Sequence, residues 1–162
     1  MIASGIGAAR AFGALGIAAA LVGCGAGDPL DPPAPRIEWT ADVQAGLARA
    51  KAEGRPVLLS LVSVASPGCR ELESGPFASL PVIEAARPFV TVRVNVDADK
   101  SSALAFRAAV IPDVRFLDPD GREFGRLRNR RAGEPWSDAA VAEQLRAHAG
   151  VTAGVPGAGG SP

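Results

Sequence analysis

Val57 to Val64 is an almost unbroken run of branched apolar residues, VLLSLVSV, too continuous for a half-exposed strand. It predicts a central strand buried on both faces. The run stops at Ser66-Pro67, which predicts a helix start with Ser66 as N-cap and Pro67 at the first helical position, where a missing N–H costs nothing. Upstream, Thr40 is the expected N-cap of a helix reaching about Glu53, with Val43, Leu47 and Ala50 on one face and Gly54 as its stop. Downstream, Gly75-Pro76 breaks the pattern and Pro81 to Ala86 predicts a short helix ending before Pro88. Phe89 to Val96, FVTVRVNV, alternates apolar with polar residues and predicts a second strand, parallel to the first because helical sequence separates them. Ser101 to Ala109 reads as a short helix with Leu104 and Ala108 on one face, and Val114 to Leu117 as a third strand. Asp118-Pro119-Asp120-Gly121 is a hairpin signal, so Arg122 to Leu127 should run antiparallel to the third strand. Ser137 and Asp138 open a last helix that reaches His148, with Val141 and Leu145 inward and Gly150 as its cap.

Both ends depart from this pattern. Met1 to Gly23 carries Arg10 and then the apolar run AFGALGIAAALV, the layout of a secretory signal. Twelve helical residues reach only about 18 Å against a hydrocarbon core of about 30 Å, so a spanning helix is the weaker reading. Leu21-Val22-Gly23-Cys24 resembles a bacterial lipobox at all four positions, which implies a mature chain that begins at a lipid-bearing Cys24. Cys24 to Arg36 is rich in proline and glycine and reads as a tether, and Val151 to Pro162 as a disordered tail. Residues 37–150 remain, a single domain of about 115 residues. Charge is balanced, 17 basic against 17 acidic residues, so no global field argues for nucleic acid.

The lipobox decides the cysteine arithmetic. Of the two cysteines in the chain, Cys24 is taken by lipid and Cys69 is left without a partner. The first turn of a helix presents unpaired N–H groups and a positive dipole end, an environment that generally favours a thiolate. Strand, tight turn and cysteine at a helix start form the geometry of thiol chemistry.

On these residues the chain resembles the thioredoxin superfamily, whose signature is a strand running into W-C-G-P-C-K at a helix N-terminus. Here Ala65 stands for the tryptophan, Ser66 for the first cysteine, Pro67-Gly68 for Gly-Pro, Cys69 for the second cysteine and Arg70 for the lysine. Further matching text is AKAEGRPVLLSL, CRELE, PFVTVRVNVDAD and VIPDVRFLDPDGREFGR, so the resemblance covers about residues 37–150. It implies an α/β fold of three layers, a central mixed sheet of about four strands with helices on both faces. It also implies that Pro112 is the family's cis-proline, and that Pro67, Gly68, Ile111 and Pro112 line a binding edge for an extended segment of another protein.

Three departures bear on activity. Ser66 occupies the nucleophile position, where a hydroxyl cannot exchange disulfides; its N-cap role explains it without catalysis. Ser60 stands where the resembled family carries a buried proton-moving aspartate, and serine is cheap to bury when hydrogen-bonded. Asp113, replacing the usual threonine after the cis-proline, should discourage a neighbouring thiolate by like-charge repulsion. Cys69 itself reads either as a reactive thiol or as a retained, buried and inert one. Trp39 reads as core, and the one histidine, His148, lies in the last turn of a helix rather than in a Ser-His-Asp constellation. The basic run Arg126 to Arg131 reads as the solvated end of an edge strand. Asp97, Asp99, Asp118 and Asp120 lack a ligand-like pattern, so neither a metal nor a cofactor is expected.

The expectation is therefore a lipid-anchored protein of the bacterial cell envelope on the extracytoplasmic side, a binding or accessory module that has lost dithiol exchange. The rival reading keeps Cys69 as a single-cysteine thiol oxidoreductase or thiol peroxidase. Ser66-Pro67-Gly68-Cys69 resembles the peroxiredoxin T-P-x-C, although Val62 replaces the proline that family carries seven residues before its cysteine.

Overall fold

The residue signals at the start and stop of each helix are mostly local, and the caps show it. Helix α1 spans Val43–Glu53 and ends at Gly54, whose left-handed φ of 65° suits a residue without a Cβ. Helix α2, Pro67–Ser74, begins at Ser66, and α5, Asp138–His148, begins at Ser137; each cap oxygen accepts an N–H from the first turn. Between them lie β1 (Val57–Val62), a short 3₁₀ turn (Pro76–Ala78), α3 (Leu80–Ala86), β2 (Val90–Asn95), α4 (Lys100–Ala105), β3 (Asp113–Leu117) and β4 (Glu123–Arg126). The structure, a computed structural model, describes residues 33–129 and 134–150, and its folded unit begins at Ala34. The signal segment, residues 24–32 of the tether including Cys24, and the C-terminal tail lie outside the described residues.

The four strands form one mixed sheet in the order β2-β1-β3-β4. β1 pairs parallel with β2, Leu59 opposite Val92, and antiparallel with β3, Ser60 opposite Val114. β4 pairs antiparallel with β3 across the Asp118–Gly121 turn, where Asp118 Oδ1 accepts the amides of Asp120 and Arg122. Every residue of β1 is buried, as a strand in the middle of a covered sheet requires. β2 alternates buried Val90, Val92 and Val94 with half-exposed neighbours, as a strand near the sheet edge does.

Two apolar layers sandwich this sheet. On one face Leu58, Val114 and Phe116 pack with Leu72, Val82, Ile83, Val141 and Leu145 from α2, α3 and α5. On the other, Leu59, Leu61, Val90, Val92 and Val94 pack with Ala50 of α1, with Phe106 and Ala108 at their margin. Fully burying one such Leu or Val contributes about 1.5–3 kcal/mol, so the sheet and its two helical layers are the main source of stability.

Several expected boundaries shift. Asp42, not Thr40, caps α1, its carboxylate accepting the Ala45 amide at 3.0 Å. Thr40 is engaged elsewhere: it bridges the outer edge of β2, donating to the Thr91 carbonyl and accepting from the Arg93 amide. β1 ends at Val62 because Ser63 and Val64 turn out of the sheet. α4 stops at Ala105, not Ala109; Arg107 takes a left-handed φ of 48°, which turns the chain and leaves Leu104 exposed while Phe106 and Ala108 reach the core margin. Ala149, in right-handed conformation, occupies the C-cap of α5 instead of Gly150.

Candidate functional site

The site forms where β1 runs out. Ser63 to Ser66 crosses from the sheet to α2, and each of its four backbone amides has a partner: Ser63 N donates to Cys69 Sγ (3.4 Å), Val64 N to Asp97 Oδ2 (3.0 Å), Ala65 N to Ser63 Oγ (3.2 Å), and Ser66 N to the Ser63 carbonyl (3.2 Å). Ser66 uses both capacities of its hydroxyl. Its Oγ accepts the Cys69 amide at 3.3 Å as N-cap and donates to the Ile111 carbonyl at 3.3 Å. The residue at the nucleophile position thus holds the start of α2 and ties the turn to the segment that precedes Pro112.

Cys69 lies under this loop with 2% of its surface exposed, and it is not in a disulfide. The Ile111–Pro112 peptide bond is cis. The turn packs directly on it: a Cβ built on Gly68 would stand 3.2 Å from Pro112 Cδ, tighter than ordinary contact. Glycine suits this close approach, and Pro67-Gly68 and Ile111-Pro112 do come together. Val64 and Val110 stand out on the loops bearing the two halves, 72% and 75% exposed.

Asp113 does not act as expected. It is buried and its Oδ2 lies 2.6 Å from Arg115 Nη2, with Arg126 Nη1 at 3.6 Å, so its charge is compensated within β3 and β4 and carries no argument for repulsion at Cys69. Arg115, 4% exposed, also donates to Glu123 and to the Phe106 carbonyl, fastening the end of α4 to the sheet. The sequence weighed Asp97 only as a metal ligand and did not mark Arg115; the fold brings Ser63 and Val64 to the first, and Glu123 and the Phe106 carbonyl to the second.

Ser60 is fully buried, yet its Oγ has no hydrogen-bond partner among the described residues, contrary to the expectation of a satisfied hydroxyl. The His148 ring stacks on Phe116 with centroids 4.1 Å apart, and Nδ1 lies 2.7 Å from the Gln144 carbonyl. Trp39 packs against Phe77 at the margin of the core. Of the basic run, Arg126 pairs with Glu123 and Arg128 N–H donates to Gln144, while Arg130 and Arg131 lie outside the described residues. Among the described residues no group of His, Cys, Asp or Glu is arranged to hold a metal, and no helix is long and apolar enough to cross a membrane.

A strand entering a helix at Ser66 to Cys69, packed against a cis-proline at the end of a mixed four-stranded sheet, defines a thioredoxin-type protein. The chain belongs to the thioredoxin-like family, whose model matches residues 38–119. Among solved structures it is similar to a thioredoxin from Thermus thermophilus, at 27% identity and a TM-score of 0.57, covering 68% of this chain and 85% of that one. It is also similar in fold to a DsbH oxidoreductase (16% identity, TM-score 0.59, covering 76% of this chain and 94% of that one). A disulphide isomerase from Xylella fastidiosa Temecula1 (22%, 0.52, covering 64% and 85%) shares the fold as well. No curated protein matches the chain.

Proposed function

We propose that this chain is an extracytoplasmic, membrane-tethered thioredoxin-fold protein that has lost dithiol exchange and acts as a binding or accessory module. One observation carries the reading: the hydroxyl of Ser66 is engaged on both sides, with the Cys69 amide and the Ile111 carbonyl, where exchange chemistry requires a free sulfur. Cys69, buried and unpaired, has no second sulfur among the described residues with which to form a disulfide. The cis-proline edge remains formed, with Val64 and Val110 exposed beside it, which supports the capture of an extended segment of another envelope protein by backbone pairing. The anchor rests on the Leu21-Val22-Gly23-Cys24 sequence and the Pro/Gly-rich stretch after it.

The test is insulin reduction by the full chain beside its Ser66→Cys variant. No turnover above background is expected for the wild type, and a measurable gain for the variant, whose two sulfurs would stand three residues apart in the first turn. Robust turnover by the wild type overturns the proposal. Fast reaction of folded wild-type Cys69 with glutathione disulfide or peroxide would select the single-cysteine oxidoreductase or peroxidase instead.

A further inference from the structure

We propose that Asp97 is a positioning residue: through Ser63 it latches the β1–α2 loop over Cys69 and thereby sets how accessible the thiol is. Such a latch goes beyond the binding reading, because it governs access to the sulfur whatever segment the module captures.

The loop is not held by burial. Val64 is 72% exposed and Ala65 is exposed as well, so the two residues at its crest contribute little apolar contact. Polar ties hold it. Ser66 N–H and Ala65 N–H are satisfied within the loop, and Arg70, which donates to the Val64 carbonyl at 3.1 Å, belongs to α2 and moves with it. From outside the loop and α2, the Ile111 carbonyl holds the α2 end through the Ser66 hydroxyl, and Asp97 grips the β1 end and the crest. Its carboxylate takes the Ser63 hydroxyl at 2.9 and 3.1 Å and the Val64 amide at 3.0 Å, across 34 and 33 residues of sequence. Hydrogen bonds to a carboxylate are roughly twice as strong as those between neutral groups. The same Ser63 whose hydroxyl is gripped sends its N–H to Cys69 Sγ, so the latch and the sulfur are joined by one residue. Asp97 is itself steadied at the end of β2, its own amide donating to Asn95 Oδ1.

Local opening of such a loop is a separate event from global unfolding and has its own equilibrium. In the full chain, native-state modification of Cys69 by a thiol reagent, read by mass spectrometry on the peptide that contains it so that Cys24 does not contribute, reports that opening. Asp97→Ala is expected to speed modification by roughly ten-fold or more, the scale of losing one hydrogen bond to a charged group. Asp97→Asn, which keeps an acceptor for the Val64 amide, should fall between the two, and Ser63→Ala should resemble Asp97→Ala. Asp42→Ala is the control, since it removes the α1 cap and weakens the fold without touching the loop. The proposal is overturned if Asp97→Ala labels at the wild-type rate. It is equally overturned if labelling rises only by the factor by which the global unfolding constant rises in urea, as for Asp42→Ala. Should Asp97→Ala fail to fold, Asp97→Asn and Ser63→Ala decide the matter by the same comparison.

Discussion

Ser60 sits in the middle of the central strand with its hydroxyl facing no partner among the described residues. A buried hydroxyl left unsatisfied costs about 1–3 kcal/mol, whereas replacing it by an apolar group of similar shape restores most of that. Ser60→Ala is therefore expected to raise the urea midpoint, followed by the fluorescence of Trp39 and Trp136, by the equivalent of up to about 1 kcal/mol. Ser60→Asp should lower it by about 3 kcal/mol or more, since a carboxylate there enters an apolar layer. A loss of stability in Ser60→Ala would mean that the hydroxyl is satisfied after all. Ser60 and Ser66 are the two serines that depart from the resembled pattern, but only Ser66 has its bonds made among the described residues.

At the scale of elements, α1 lies close against β2 at Gly46. A Cβ built on Gly46 would stand 2.4 Å from Val92 Cγ2 and 3.4 Å from Thr40 Cγ2. Alanine would gain about 1 kcal/mol of helix propensity. Val92 is fully buried and β-branched, so it has no free rotamer in which to yield. Overpacking of this kind costs about 1–3 kcal/mol, and Gly46→Ala is expected to be destabilising by about 1–2 kcal/mol in urea unfolding. Val92→Ala in the same chain should relieve the clash, so the double variant is expected to be more stable than the sum of the two singles implies, a coupling that thermodynamic cycles measure directly. Additive effects would show that α1 shifts away instead.

For the whole molecule, charge is balanced and many carboxylates are held by donors, so acid is the condition that should unsettle it. The Ser101 and Ser102 hydroxyls, with the Ser102 amide, hold the Asp99 carboxylate at about 2, below its ordinary 3.8. For Glu123 burial pushes upward, but Arg126 and Arg115 together outweigh it and leave the group below its ordinary 4.5. A depressed folded value means stability that is present in full above the unfolded value and lost as pH falls through the folded one. The urea midpoint is thus expected to fall from about pH 4.5 downward. Asp99→Asn, which still caps α4, should flatten the part of that slope between pH 3.8 and about 2. An unchanged slope in Asp99→Asn would remove Asp99 from the account.

The sequence by itself determined what local chemistry dictates. The buried run of β1, the Ser66-Pro67 helix start, the Gly54 stop, the hairpin at Asp118–Gly121 and the oxygen in place of a sulfur all lie within a few residues of the groups they act on. The tertiary structure decided the rest, because those partners are distant in the chain and no spacing announces them. Thr40 is drawn from the α1 cap to the edge of β2 only once that edge exists. Asp113, already beside its strand neighbour Arg115, meets its second cation, Arg126, only when β4 pairs with β3. Asp97 becomes a latch only when parallel pairing sets the end of β2 beside the end of β1.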